Sequence, residues 1–133
     1  MATGRTQNAA DGVDVGPDRR QPDIETMRDS ARTLLAEGVA PPSPDKLDTL
    51  TVVLRGHIHL LIPEVADAAA REPKDSIPKY CALACIGEAH TKLRLDGGGA
   101  LPVLVLARKL ARVVNALCDH YENLNGVRPA AGR

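Results

Sequence analysis

Leu, Ile, Val and Ala recur every three or four positions in four runs of this chain, and proline or glycine stands in each gap between runs. Such spacing gathers the apolar side chains on one side of an α-helix, whereas on a strand it would scatter them over both faces. Residues 101–106 offer the only alternation with period two, and their continuation is helical. The chain therefore reads as all-α.

The first helix is expected from about Asp23, a good N-cap, to Glu37, with Ile24, Met27, Ala31, Leu34 and Leu35 as its stripe and Gly38 as its stop. Ser43 followed by Pro44 starts a second helix, which carries Leu47, Leu50, Leu54, Ile58, Leu61 and Val65 and ends near Arg71. A further strip, Val53, Gly56 and Leu60, makes this helix apolar on two sides, as a central or partner-binding helix would be. Pro63 lies inside the pattern, so a kink is expected there. Ser76 with Pro78 begins the third helix, whose stripe is Ala82, Cys85, Ile86, Ala89 and Leu93 and whose end falls near Gly97-Gly98-Gly99. The fourth runs from about Leu101 to Leu124. Val103, Leu106, Leu110, Val113, Val114, Leu117, Tyr121 and Leu124 face inward; Arg108, Arg112, Asn115, Asp119 and Glu122 face outward.

Short connections make consecutive helices antiparallel neighbours. The expectation is an up-and-down four-helix bundle with a shorter first helix, spanning residues 23–125. Residues 1–22 form a polar arm and 126–133 a Gly/Pro/Ala tail, and both read as disordered.

Composition narrows the function. With two Tyr, no Phe and no Trp, the core must be aliphatic, and the aromatic platforms on which single-stranded nucleic acids stack are missing. Basic and acidic residues balance at 17 each, so nothing draws the chain globally to phosphate or to an anionic membrane. Arg108, Lys109 and Arg112 make a local basic patch on the fourth helix. Without a helix-turn-helix signature, a DNA-binding regulator ranks third and a nucleic-acid partner is not expected. No run is long and apolar enough to span a membrane and no secretory leader opens the chain, so a cytoplasmic protein with three reduced cysteines is expected.

Folding the second helix onto the third about Lys74 brings Ile58 level with His90, so His57, Glu64 and His90 are candidates for a ligand or weak metal site. No Glu-x-x-His or H-E-x-x-H pattern supports a metal, and no cofactor is expected. Gly56, His57, Leu60 and Glu64 share the second side of that helix, which suits a groove, a homodimer seam or the seat of the fourth helix. Cys81 and Cys85 stand one turn apart, and Cys118 falls near the level of Cys81; buried thiols acting as small hydrophobes suffice to explain them. Cys118 and His120 point different ways on one helix, which excludes a dyad between them. Tyr80, Cys81, Cys118 and Tyr121 belong to one pole of the bundle, where the two rings are expected to plug the end.

Two stretches carry a resemblance: Leu54-Arg55-Gly56-His57-Ile58-His59-Leu60-Leu61-Ile62-Pro63-Glu64-Val65, and Leu106-Ala107-Arg108-Lys109-Leu110-Ala111 continuing through Leu117-Cys118-Asp119-His120-Tyr121-Glu122. The chain resembles a family of small actinomycete proteins of unknown function labelled "natural product biosynthesis protein", over about residues 24–124. The resemblance implies a cytoplasmic protein in a biosynthetic-cluster context and assigns no catalytic or binding residue. The functional expectation is a non-enzymatic accessory or interaction protein, homodimeric and acting on a protein partner. The alternative is a small-ligand or metal-binding helical protein using His57, Glu64 and His90.

Overall fold

The computed structural model describes residues 21–95 and 101–126; the expected arm up to residue 20, the triple glycine and the tail beyond Gly126 lie outside these residues. Four helices follow in order: α1 (Ile24–Leu35), α2 (Pro44–Ala70), α3 (Ile77–Leu93) and α4 (Val103–Leu124). There is no strand among the described residues.

The predicted caps start three of them. The Asp23 carboxylate accepts from the Thr26 backbone N–H at 3.1 Å, Ser43 from Lys46 at 3.4 Å and Ser76 from Lys79 at 3.1 Å. Each satisfies an otherwise orphaned donor of a first turn. After α1 the chain leaves through Gly38 at φ 76°, a left-handed conformation that glycine adopts without penalty. Helix α2 runs unbroken through Pro63, which is exposed; its ring supplies no N–H to the His59 carbonyl.

Helix α3 stops at Leu93, before the glycines, and its end is held from outside. The Arg55 guanidinium, on α2, donates to the carbonyls of Leu93 at 2.8 Å and Leu95 at 2.7 Å. Arg108 of α4 does the same for α1, donating to the Leu34 carbonyl at 3.2 Å. The last carbonyls of a helix lack intrahelical donors and carry the negative end of its dipole, so a guanidinium is well matched to both ends.

Polar ties also fix the directions. Arg28, early in α1, pairs with Asp119 at 2.7 Å and Glu122 at 2.9 Å, late in α4. Arg71 and Asn125 join the C-terminal ends of α2 and α4 at 3.1 Å. Thus α1 and α4 are antiparallel while α2 and α4 run the same way, as an up-and-down bundle requires.

The cross-section is a flattened rhombus rather than a square. Helices α2 and α4 share the most extensive contact, α4 also packs on α1 and α3, and α1 and α3 do not touch. This is why α4 buries more than its expected stripe. Ala107, Ala111 and Cys118 are buried alongside Leu106, Leu110, Val113, Val114 and Leu117, since a helix with three neighbours hides a wide arc and needs small residues where they approach. The stripe of α2 is buried at Leu47, Leu54, Ile58, Leu61 and Val65, with Leu50 partly so. Only Ala82 and Ala89 of α3 are fully buried.

Candidate functional site

Among the helix pairs that touch, α1 and α2 meet least, and a groove of about 450 Å³ stays open between them. Met27 and Leu60 supply its apolar surface, while Asp23, Thr26, His57 and Glu64 supply its polar walls. Three of the residues expected on the second side of the helix, His57, Leu60 and Glu64, are therefore brought together. Gly56 lies beside them, exposed, and a Cβ built there meets nothing within 4 Å. This side of α2 does not seat α4; Leu60 remains 61% exposed.

His57 faces α1, with Nε2 3.3 Å from the Ser30 hydroxyl oxygen. Burial pushes its pKa down from 6.5, so the imidazole is neutral near pH 7. Ser30 also donates to the Thr26 carbonyl at 3.3 Å. With its single proton committed there, the hydroxyl accepts from an Nε2–H tautomer, and both groups are satisfied without any proton being abstracted. That arrangement anchors α1 to α2 and does not activate a nucleophile.

The expected third member of the cluster is not in the groove. His90 is exposed on α3, a helix that contributes nothing to these walls, whereas His57 turns to α1. A shared level along two antiparallel helices is not enough, because rotation about the helix axis decides which side a residue serves. No group of three or more His, Cys, Asp and Glu among the described residues is placed to hold a metal ion.

The pole of the bundle also differs from expectation. Tyr121 is partly buried against the core, and burial, with Glu64 nearby, raises its phenol. Tyr80 instead is 61% exposed, so the two rings do not jointly plug the end. The three thiols are free and unlike: Cys81 is exposed, Cys85 half-buried and Cys118 buried, with its pKa pushed up to about 11 by burial. The basic patch is divided too. Arg108 is spent on the end of α1, while Lys109 and Arg112 border a second hollow between α3 and α4. Asn115, expected outward, has its Oδ1 buried without a hydrogen-bond partner beside Arg28 and Arg32.

One surface was missed. Along α3, Ile77 (71%), Tyr80 (61%) and Leu83 (44%) stand exposed, with Cys81, Ala84 and Gly87 exposed between and beside them. Charge stands only at its edges, with Lys79 half-buried one turn before Leu83 and Glu88 exposed one turn after Ala84. The signal was present in the sequence: between Ile77 and Gly87 only Lys79 is charged, so the helix is apolar nearly all round.

The profile of a family of unknown function (DUF6415) matches residues 25–126, and the chain belongs to that family. Neither a curated protein nor a solved structure matches it significantly.

Proposed function

We propose that this member of a family of unknown function is a non-enzymatic accessory protein that pairs with a second copy through α3 and receives a protein partner in the α1–α2 groove. A cytoplasmic, specialised-metabolite setting comes from the resemblance of its α2 and α4 sequences. The observation that carries the proposal is the bare outer face of α3. Contiguous exposed apolar surface of this kind marks an interface.

The face is self-complementary in one arrangement. Two α3 helices crossing antiparallel near Leu83 and Ala84 set the Tyr80 ring over Gly87 of the partner subunit, on the same flank. Gly87 sits mid-helix with nothing within 4 Å of a Cβ built on it. Within one chain it only weakens the helix relative to alanine; a ring approaching from outside gives it a use. The groove complements this, with Asp23 and Glu64 around an apolar surface suited to a basic amphipathic segment of the partner.

A short bis-maleimide tests the pairing directly, because Cys81 is the exposed thiol on this face. Cross-linked dimer is expected from the wild type and not from Tyr80→Asp/Leu83→Asp. Cross-linking indifferent to that double substitution would reject the α3 pairing. Affinity capture with wild-type and Leu60→Asp baits tests the groove: a partner held equally well by both baits does not use it.

A further inference from the structure

The hollow between α3 and α4 measures about 350 Å³, within the range of small-molecule sites. Cys85, Val113 and Ala116 form its inner surface; Val113 is buried and the other two are partly so. Around it stand three cations, Lys92 from α3 and Lys109 and Arg112 from α4, against a single carboxylate, Glu88. Lys92 already pairs with Glu88. That bond, with Lys109 nearby, holds the Glu88 carboxyl below its usual range, so it is ionised and committed.

Arg112 and Lys109 keep their donors open, Lys109 acting on Glu88 only at a distance. Neither has an ion-pair or hydrogen-bond partner among the described residues. Three positions apart on one helix, they are neighbours of like charge and repel each other mildly. Arg112 is exposed at the rim and Lys109 half-buried, so the head of a ligand would meet charge at the mouth and its stem would meet apolar surface below. An isolated solvated helix face would have the charges without the cavity. Small side chains at positions 85 and 116 are what leave the space.

We propose that this hollow binds a small organic anion, a carboxylate or phosphate head held by Lys109 and Arg112 with a short apolar stem lying on Val113 and Ala116. The hollow has no lining residue in common with the α1–α2 groove and borders the α3 pairing face at Glu88, next to Gly87, and the proposal goes beyond both. Hexanoate and hexyl phosphate are suitable probes, with acetate and inorganic phosphate as the same heads without a stem. In an amide NMR titration of the full chain, at least one stemmed anion is expected to give saturable shifts confined to the hollow. It should bind about tenfold or more tightly than its stemless head, and less tightly as salt is added. Which head binds better identifies the source as carboxylate or phosphate.

Lys109→Gln/Arg112→Gln should weaken the stemmed anion by about tenfold or more. Ala116→Leu, which fills the hollow and keeps every charge, should weaken it similarly; should that variant fail to fold, the rim variant decides. Equal affinity for stemmed and stemless anions, shifts spread over all surface cations, or unchanged binding by the rim variant would overturn the proposal.

Discussion

His57 ties protonation to folding. Its folded pKa lies below the unfolded value of 6.5 because burial disfavours the imidazolium, so the unfolded chain binds more protons in that range. Stability from this group is present above about pH 6.5 and is lost as the pH falls toward the lower, folded pKa. Urea unfolding between pH 7.5 and 5 should therefore show a decline that His57→Gln makes shallower; an unchanged slope would remove His57 as its source. The thiols separate by burial in the same way. Maleimide should label Cys81 first and Cys118 last, since Cys118 is both enclosed and held to about 11. Mass spectrometry of the time course checks the order. The identities of His57, Leu60 and Glu64 as groove residues were legible, because i, i+3 and i+7 share a helix side. Their partners Met27, Ser30 and Thr26 were not, because nothing in a sequence reports the rotation of α1 against α2.

Arginines that cross between helices give the elements their ends and their order. Arg55 makes two hydrogen bonds, 2.8 and 2.7 Å, to the end of α3 and is half-buried; Arg55→Ala should destabilise the fold by about 2 kcal/mol, with little dependence on salt. The Arg28 pair with Asp119 and Glu122 is more exposed, the Asp119 side chain being 68% accessible, so Arg28→Ala should cost no more than about 1 kcal/mol and less in high salt. Chemical denaturation at low and high salt distinguishes the two. Gly56→Ala meets no obstacle and should raise stability by about 0.5–1 kcal/mol. Gly87→Ala should likewise steady α3 while weakening self-association, a combination that only an external contact at that glycine produces. Helix starts were readable from Asp23, Ser43 and Ser76, whose caps are local. The end of α3 was not, because Arg55 is 38 residues away from the carbonyl it satisfies.

For the molecule as a whole, four aliphatic runs and short connections specify the bundle. They could not specify its flattening: Ala107 and Ala111 are buried on α4 among its three neighbours, and alanine is neutral in a hydrophobic pattern. Flattening has two consequences. It parts α1 from α3, with α1 packed on α4 far more than on α2 beside the groove, and it leaves α3 on the outside with exposed apolar surface. The bare face of α3 is the centre of the functional account, and the mass of the protein in solution tests it most directly. Sedimentation equilibrium over a wide concentration range should give twice the chain mass for the wild type and the single-chain mass for Tyr80→Asp/Leu83→Asp. A wild-type protein that remains a single chain at every concentration, or a double variant that dimerises as strongly as the wild type, would contradict it.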